Sequence, residues 1–445
     1  MSKKIFLCKK IITNNLNDEI LSNHAVVTED GLIVKIISKN EIAAERQGEI
    51  YNYNNLVLIP GFVQTHIHLC QTLFRGLADD LELLDWLQKR IFPFENAHDK
   101  ESLRIAAKLG IHELQTSGTT TILDMGTLNN QEVVFEELIH SGMRGFSGNS
   151  MIDNNDLFPK FKKTTKENLD ISLQLAKAFH NSSQGKIKYG FAPRFVLSCT
   201  EELLKETYSM LNDFNGSLYH THSSENKSEI EAVRKMHGKE NIDYFDSIGV
   251  LSERTILAHG IHVNENETQQ LKKTNTRISH CPSSNLKLAS GIANIPNFIN
   301  EGISVSLGAD GAPCNNNLNM FTEMRLAALI QKPVHGPKAM NAKEVFKLST
   351  IEGAKALRLE KEIGSIEAGK RADFVFLDLD EPSQTFNDDD EKVFSDIVYS
   401  ASKQNVKHVF NDGVHVVKDG KSLIYDSTEI YNEGKNQLKK LLARV

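Results

Sequence analysis

Two histidines separated by one residue lie near the end of an apolar segment, GFVQTHIHL. If this segment is a β-strand, the side chains of His66 and His68 point to the same face, because side chains alternate along a strand. Imidazole is the commonest protein ligand for metal ions, so two imidazoles on one face could bind one ion. The pair alone is weak support for a metal site, since two histidines that line a protein core can have the same spacing.

A second pair occurs in SLYHTHSSE, where His220 and His222 share a face and Glu225 follows three residues later. One of these histidines could bring a third nitrogen from another strand to the same ion. Glu225, just beyond the strand end, could reach a reacting atom without binding the metal, as a general acid or base does.

Three more polar residues end apolar segments: His259 in TILAH, His280 in TRISH and Asp310 in SVSLGAD. Each one alone is an ordinary polar residue at a strand end. Together they are difficult to explain by packing, because buried imidazoles and carboxylates without partners cost free energy. A shared metal ion supplies such a partner. The Asp310 carboxylate could be an oxygen ligand that also accepts a proton from activated water.

The elements that must position these residues are apolar β-type segments alternating with longer helical patterns over residues 59–365. In ESLRIAAKLGIHELQTSG, apolar residues recur at helical spacing. Eight such strand segments predict an α/β fold, a (β/α)₈ barrel of the TIM type, whose chemistry lies at the C-terminal ends of the strands. Residues 1–58 and 366–445 contain short strand patterns. We expect them to form one small β-sandwich domain with a terminal helix.

The composition fits a soluble globular enzyme, with 40% hydrophobic and 24% charged residues among 445. The formal net charge of −7 offers no basic surface for nucleic acid or an anionic membrane. The five cysteines contain no Cys-x-x-Cys pair, and no segment approaches the roughly 20 apolar residues of a membrane span. We therefore expect a cytoplasmic protein that binds a small molecule. Self-association into a homo-oligomer is common for barrels of this size.

Five segments in this order resemble the metal-dependent amidohydrolase superfamily: PGFVQTHIHL, HTHSSE, LAHG, SHCPSSNLKLASG and GADGAPCNN. They are most similar to its aminohydrolase branch. That branch holds the 5′-deoxyadenosine, 5-methylthioadenosine and S-adenosylhomocysteine deaminases, with relatives that act on guanine and chlorotriazines. The later segment GSIEAGKRADFVFLD resembles the family's return to the small β domain. The resemblance thus covers nearly the whole chain.

The resemblance implies one divalent metal ion, zinc or iron (Zn²⁺ first, Fe²⁺ as the alternative), with the ligands His66, His68, His222 and Asp310. It also implies that Glu225 carries a proton during the reaction. His259 would contact the attacking water or the leaving group.

For the substrate, the resemblance implies that Glu95 grips ribose hydroxyls and that Trp86 lies in a loop covering the substrate. A carboxylate accepts two hydrogen bonds from a vicinal diol well. A nucleoside has such a diol, whereas guanine and a chlorotriazine do not. Glu95 therefore favours a nucleoside as the substrate. Trp86 could equally be a core aromatic residue, and Glu95 could cap a helix or pair with a surface cation. His280 could line the pocket.

Two positions depart from the methylthioadenosine/adenosylhomocysteine deaminases. Asn149 stands where those enzymes have an arginine that serves a bulky, carboxylated 5′ tail, which disfavours S-adenosylhomocysteine. Arg194, in FAPRF, stands where they have a histidine, and it could meet a purine ring nitrogen or another polar substrate atom. This variant resembles the 5′-deoxyadenosine-deaminase-like group.

We therefore expect a hydrolase acting on C–N bonds of cyclic amidines, a deaminase of purine salvage that converts an adenosine-type nucleoside to the inosine-type product and ammonia. In this scheme the metal lowers the pKa of water toward about 7. Asp310 accepts a proton, Glu225 protonates a purine ring nitrogen and His259 orients the attacking oxygen. The alternatives are a hydrolase of a free base or an s-triazine and, more remotely, a non-catalytic barrel that serves as a binding module.

Overall fold

The computed structural model of this chain describes residues 3–45, 48–384 and 389–445. Both ends of the chain contribute to one β-sheet, and the residues between them form a second sheet. The N-terminal strands of the first sheet are β1 (Lys3–Ile12), β2 (Ile20–Ser22), β3 (His24–Glu29), β4 (Leu32–Ser38) and β5 (Glu49–Pro60).

The second sheet is parallel and starts directly after β5. Its strands are β6 (Phe62–His68), β7 (Thr119–Asp124), β8 (Arg144–Ser147), β9 (Ser150–Met151), β10 (Ile187–Pro193), β11 (Leu218–Ser223), β12 (Thr255–His259), β13 (Arg277–His280), β14 (Val305–Leu307) and β15 (Asp310–Gly311).

Only Gly308 and Ala309 separate β14 from β15, so these two strands form one interrupted segment. β14 pairs with β13 on one side, whereas β15 pairs with β6 on the other side. The first and last strands of the parallel sheet are therefore joined, and the sheet closes on itself. The predicted (β/α)₈ barrel is confirmed.

Helices connect the barrel strands and extend to the chain end. They are α1 (Leu83–Trp86), α2 (Phe92–Asn96), α3 (Lys100–Thr116), α4 (Glu132–Ser141), α5 (Thr165–Phe179), α6 (Ser182–Gly185), α7 (Glu201–Ser209), α8 (Lys227–His237), α9 (Asn241–Ser247), α10 (Glu265–Thr274), α11 (Pro282–Lys287), α12 (Ile295–Asn300), α13 (Ala312–Asn315), α14 (Met320–His335), α15 (Ala342–Leu348), α16 (Ile351–Ala356), α17 (Lys392–Ser395) and α18 (Ser427–Leu442). Short 3₁₀ or π turns occupy Lys39–Ala44, Leu69–Phe74, Leu87–Ile91, Val196–Ser198, Met210–Asp213, Asp396–Ser400 and Lys403–Asn405.

Helix α3 shows how the local sequence selects these elements. Its N-cap Asp99 accepts a hydrogen bond from the backbone N–H of Ser102, which satisfies a donor that the first turn leaves free. The apolar residues at helical spacing are buried, as the pattern predicted. Gly110 lets the helix approach Leu69 closely, since a Cβ at this position would lie 2.8 Å from a methyl carbon of Leu69. The helix thereby packs against the segment that follows the two histidines of β6.

The chain returns to the first sheet through β16 (Phe374–Leu377), β17 (Val406–Asn411), β18 (Val414–Lys418) and β19 (Lys421–Ser422). β16 pairs with β5, which joins the two chain ends in one nine-stranded sheet. Phe6 of β1 and Phe410 of β17 are three strand positions apart, about 14 Å in a flat sheet. Their ring centroids are nevertheless only 4.9 Å apart. The sheet therefore curls around an aromatic core, which is how a single sheet produces the expected sandwich.

The predicted division at residues 58/59 and 365/366 stays a prediction. In the structure, β5 of the first sheet ends at Pro60 and β16 begins at Phe374. Residues 1–2, 46–47 and 385–388 of the predicted small domain lie outside the described residues. Within the described ranges, no helix is both long and apolar enough to cross a membrane.

We predict that Gly308→Ala destabilises the fold, because Gly308 packs against β6 where the barrel closes. A Cβ at this position would lie 2.6 Å from the carbonyl oxygen of His66 and 2.9 Å from its backbone nitrogen. Such overpacking against backbone should lower the free energy of unfolding by about 1–3 kcal/mol, measured by urea denaturation.

The matched control is Gly434→Ala within α18. The added Cβ there meets only the tips of Leu109 and Leu73, which are flexible side chains. Alanine also favours a helix over glycine by roughly 0.5–1 kcal/mol, so stability should hold or rise. Equal stability of Gly308→Ala and the unchanged protein would contradict the close packing at the closure.

Candidate metal centre and active site

Four side chains converge at the C-terminal end of the barrel strands: His66 and His68 of β6, His222 of β11 and Asp310 of β15. One donor atom from each lies within 4.8 Å of all the others. His66 Nε2 is 3.2 Å from Asp310 Oδ1, and His68 Nε2 is 3.2 Å from His222 Nε2. Alternation along β6 thus directs both of its histidines to one point, as their spacing predicted.

The hydrogen bonds of His222 leave its Nε2 lone pair free for a metal. Its Nδ1 lies 2.7 Å from the carbonyl oxygen of Arg194, which can only accept, so Nδ1 carries the proton. Burial lowers the pKa of His222 well below its usual value and keeps the ring neutral. Its Nε2 is therefore an acceptor that faces the Nε2 of His68. Two nitrogens meeting in this way suit a shared cation.

His66 is held in the same manner by His220, the other histidine of the second pair. His66 Nδ1 lies 2.8 Å from His220 Nε2, which directs His66 Nε2 toward Asp310. Burial lowers the pKa of both rings, so both are neutral. Three neutral imidazoles and one carboxylate form a donor set that fits a divalent metal ion such as zinc.

The Asp310 carboxylate remains ionised in this buried place. Burial alone would raise its pKa, but the neighbouring His66, His259 and His68 hold it well below the usual range. Its Oδ2 accepts a hydrogen bond from the Ser284 hydroxyl at 2.7 Å, while Oδ1 faces the imidazoles. Asp310 thus offers one oxygen to a metal and a second oxygen to a proton.

Glu225 has the opposite electrostatic character. Burial raises its pKa well above the usual value, and the negative charges of Asp310 and Glu229 raise it further. The protonated acid is therefore favoured. Glu225 Oε2 lies 3.5 Å from His259 Nε2, which in turn lies 3.9 Å from Asp310 Oδ2. An acid and a carboxylate base thus flank one imidazole.

The backbone is strained at two of these residues. His259 has φ 75° and Asp310 has φ 59°, in the left-handed region that side-chain-bearing residues rarely adopt. Each turns sharply at the end of its strand. Such strain costs of order 1–3 kcal/mol and persists where surrounding contacts impose it, frequently at functional sites.

Several supporting residues were missed by sequence reasoning. Asn285 Oδ1 lies 2.9 Å from His259 Nδ1 and fixes the proton on that nitrogen. Glu229 accepts a hydrogen bond from the backbone N–H of Glu225 at 2.8 Å. The helix-capping pattern Asn226-x-x-Glu229 at the start of α8 could have revealed Glu229. Asn285 lies in the segment SHCPSSNLKLASG, but its contact with His259 joins α11 to the end of β12 and could not be read from either segment alone.

Asp124, at the end of β7, was also missed. It accepts hydrogen bonds from the backbone N–H of Leu69 at 2.8 Å and from the Ser147 hydroxyl at 2.6 Å. Burial raises its pKa to about 6. It holds the backbone immediately after His68. Its position at the end of TTTILD is the same signal that pointed to Asp310.

A narrow cavity lies over this cluster. Three of the four cluster residues, His68, His222 and Asp310, line it. The rest of the lining is polar at Glu225, His259 and Arg194 and apolar at Leu83, Trp86, Leu87 and Phe195. Trp86 is 4% exposed and packs with its apolar neighbours in the segment between β6 and α3. It is therefore both a core aromatic and part of the cavity wall.

Glu95 and Arg194 come together, although their sequence positions are far apart. The Arg194 guanidinium donates two hydrogen bonds to the Glu95 carboxylate, at 2.8 and 3.1 Å. Arg194 lines the cavity, whereas Glu95 is completely buried and is not among the lining residues. Glu95 therefore forms a buried ion pair, and not the surface ion pair considered from the sequence.

Asn149 and His280 lie away from the cavity lining. Asn149 borders a separate surface cavity, and its side-chain amide can donate to the carbonyls of Thr127 and Leu128 at 3.2 Å. His280 is buried, and neither ring nitrogen has a hydrogen-bond partner among the described residues. Burial lowers its pKa to about 3. The structure therefore does not bring these two into the cluster.

A second set of donors, from His68, Cys70 and Glu95, also lies close together. Burial raises the pKa of the Cys70 thiol well above its usual value, so the thiolate that binds metals is disfavoured. Arg194 already neutralises Glu95. This set suits a cation much less well than the four-residue cluster does.

A closed parallel barrel with imidazoles and a carboxylate at its C-terminal edge is typical of metal-dependent hydrolases. The model of the Amidohydrolase family matches residues 57–416. A 5′-deoxyadenosine deaminase from Methanobrevibacter smithii is 36% identical over 440 residues, covering 95% of this chain and 99% of that protein. The chain belongs to the amidohydrolase family.

Two other relatives extend this comparison. A 5-methylthioadenosine/S-adenosylhomocysteine deaminase from Bacillus cytotoxicus is 32% identical over 439 residues, covering 97% of this chain and 98% of that protein. The crystal structure of an adenosine deaminase from Xanthomonas campestris with bound zinc has a TM-score of 0.92 at 25% identity, covering 99% of both chains. Both matches cover the barrel and the first sheet, which the two chain ends form.

We predict that His220→Leu weakens metal binding, because His220 is the hydrogen-bond partner that fixes the orientation of the His66 ring. Loss of a partner of this kind typically lowers metal affinity about 10–100-fold. The affinity is measured by competition with a chelator, after circular dichroism has shown that the variant folds.

His280→Leu is the matched control, since it removes another buried histidine at a strand end whose ring nitrogens make no hydrogen bond to the described residues. It should bind metal like the unchanged protein. An unaltered affinity in His220→Leu would refute the role given to His220.

Proposed function

We propose that this chain is a metal-dependent hydrolase that deaminates an adenosine-type nucleoside to the inosine-type product and ammonia. The observation that carries the proposal is the convergence of a protonated acid, Glu225, an ionised Asp310 and the imidazole of His259 on one cavity. The names of two relatives that match nearly the full chain support this substrate class.

The metal that we propose is one zinc ion, with ferrous iron as the alternative, held by His66, His68, His222 and Asp310. Zinc favours nitrogen and oxygen donors in this number, and the related adenosine deaminase structure contains it. When bound, such an ion supplies Lewis-acid activation of water near neutral pH.

The residues around the cavity would move protons in two directions. Glu225 donates a proton from Oε2 to a purine ring nitrogen, which makes the amino-bearing carbon more electrophilic. Asp310 accepts a proton at Oδ2, which the Ser284 hydroxyl orients. His259, whose Nδ1 proton is fixed by Asn285, directs Nε2 between these two carboxyl groups and orients the attacking oxygen.

The apolar wall fits a purine base. Trp86 and Phe195, with Leu83 and Leu87, present aromatic and aliphatic surface opposite the polar cluster. Flat aromatic ligands pack favourably on such surfaces, and the wall also excludes water from the reacting atoms.

The test is a spectrophotometric deamination screen on protein of known metal content. The panel holds adenosine, 5′-deoxyadenosine, methylthioadenosine, S-adenosylhomocysteine, guanine and a chlorotriazine. We expect turnover of the adenosine-type nucleosides. Turnover of only guanine or the triazine by the metal-loaded protein would overturn the proposal.

We predict that Glu225→Gln retains the metal but loses the reaction rate. The amide keeps the shape of the acid but cannot deliver its proton, and such proton transfer contributes about 10²–10⁴-fold. The readouts are kcat and metal content. The control, Glu231→Gln, lies exposed on helix α8, which begins two residues after Glu225, and should leave both unchanged. A fully active Glu225→Gln variant would contradict the assigned role.

A further inference from the structure

A buried carboxyl group outside the cavity connects two chain segments that hold the reacting groups. Glu323 lies on α14 and has no exposed surface. Its Oε1 accepts hydrogen bonds from the Ser283 hydroxyl at 2.5 Å and from Asn315 Nδ2 at 2.8 Å. Its Oε2 accepts one from the backbone N–H of Ser283 at 3.2 Å. Donors from α11 and from α13 therefore meet on one side chain.

Glu323 supplies an acceptor that α11 lacks in its own sequence. The N-cap of this helix, Cys281, makes no side-chain hydrogen bond to the first turn. The free N–H groups of a helix start need acceptors when they are buried. The N–H of Ser283 finds its acceptor on α14, so Glu323 fixes the start of α11.

The next two residues of α11 contact the reacting groups. The Ser284 hydroxyl donates to Asp310 Oδ2 at 2.7 Å. Asn285 Oδ1 accepts from His259 Nδ1 at 2.9 Å. The first turn of α11 therefore holds both the carboxylate and the imidazole, and it is itself held at Ser283.

The second segment carries the backbone in front of Asp310. Asn315 Nδ2 donates to Glu323 and also to the carbonyl oxygen of Ala309, at 2.7 Å. The N–H of Ala309 donates to Gln64 Oε1 at 3.2 Å. Side chains thus hold both polar backbone groups of Ala309, directly before the left-handed turn at Asp310. A strained turn persists only where surrounding contacts impose it.

The hydrogen bonds of Glu323 require an acceptor-only group. The serine hydroxyl, the backbone N–H and the amide nitrogen all point their protons at it, and only the ionised carboxylate accepts three such bonds without offering a proton of its own. Burial raises the pKa of Glu323 to about 7, whereas the bonds from Ser283 and Asn315 act in the opposite direction. An amide in place of the carboxylate would bring an NH₂ group against one of these donors.

We propose that Glu323 is a positioning residue that fixes the place of the Asp310 carboxylate. It acts from two sides, through α11 by way of Ser283 and through α13 by way of Asn315. Glu323 belongs neither to the cavity lining nor to the four-donor cluster, so it acts without touching substrate or metal. The inference rests on the proposed function, in which Asp310 is both a metal ligand and a proton acceptor.

The first test is the kinetics of Glu323→Gln with adenosine, expressed per bound metal ion. We expect kcat to fall about 10–100-fold with KM unchanged, because a displaced reacting group slows the chemical step and leaves substrate binding intact. A loss of stability alone would lower the melting temperature without this division between kcat and KM. An unaltered kcat in the folded, metal-loaded variant would overturn the proposal.

The second test does not depend on turnover. Cobalt(II) in place of the native metal has visible absorption bands that respond to the geometry of its ligands. We expect Glu323→Gln to shift these bands, because the Asp310 oxygen moves. Bands identical to those of the unchanged protein would refute the role of Glu323. Failure of the proposed function gives a different result, namely no ammonia from any nucleoside with the unchanged, metal-loaded protein.

The matched control is Glu267→Gln, which alters another buried carboxyl group of the same kind. Glu267 accepts hydrogen bonds from the backbone N–H groups of Ile242 and Asn264, each at 3.0 Å, and burial raises its pKa to about 7. It joins α9 to α10. Glu267→Gln should lower the melting temperature but leave kcat and the cobalt bands unchanged. An equal loss of kcat in this control would show a general effect of destabilisation and would contradict the proposal.

A milder variant, Ser283→Ala, tests the same connection if Glu323→Gln does not fold. It removes one hydroxyl and keeps the backbone hydrogen bond to Glu323. We expect kcat to fall about 3–10-fold with KM unchanged, since one charge-assisted hydrogen bond is lost. A kcat equal to that of the unchanged protein would show that α11 needs no such anchor and would overturn the proposal.

Discussion

The convergence of three imidazoles and one carboxylate in a buried place is the constraint on which the rest of the structure depends. The Nε2 atoms of His68 and His222 lie 3.2 Å apart, and the Nε2 of His222 is an acceptor that a divalent cation can satisfy. The fold therefore has to deliver donor atoms from β6, β11 and β15 to one point. It also has to orient the rings, which His220 does for His66 and the carbonyl of Arg194 does for His222.

The way in which the barrel closes brings Asp310 to the histidines of β6. The last strand is interrupted between β14 and β15, and only the second part pairs with β6. The interruption turns Asp310 into the left-handed region and directs its carboxylate at the histidines of the first strand. Gly308 makes the close approach possible, since any Cβ would meet the backbone of His66. Strain and close packing together determine where the carboxylate lies.

Burial in this place gives two carboxyl groups opposite properties. Nearby imidazoles keep Asp310 ionised, whereas Glu225 faces the charge of Asp310 and favours its proton. A third carboxylate, Glu95, forms a buried ion pair with Arg194. The three acidic residues thus differ in state: one carboxylate faces imidazoles, one acid favours its proton and one carboxylate is ion-paired. Such a division of roles by environment is how an enzyme runs acid and base chemistry at one pH.

Much of this architecture could be predicted from the sequence, because the informative signals are local. Alternation in GFVQTHIHL, polar residues at strand ends and helical spacing in α3 each depend on a few neighbouring residues. They predicted the barrel, the two-ended sheet and the polar residues at the strand ends, whereas the choice of His222 over His220 for the four-donor cluster came from the family resemblance. Even a missed residue, Asp124, carried a local signal of the same kind.

The tertiary structure decided what depends on contacts between distant segments. It decided that Arg194 pairs with Glu95, that Asn285 orients His259, and that Asn149 and His280 stay outside the cavity. The sequence by itself determined which residues could do chemistry, since residue type and period are local properties. Only the closed barrel decided which of them meet and which protonation state each holds, since hydrogen bonds, burial and charge act through space between residues far apart in the chain.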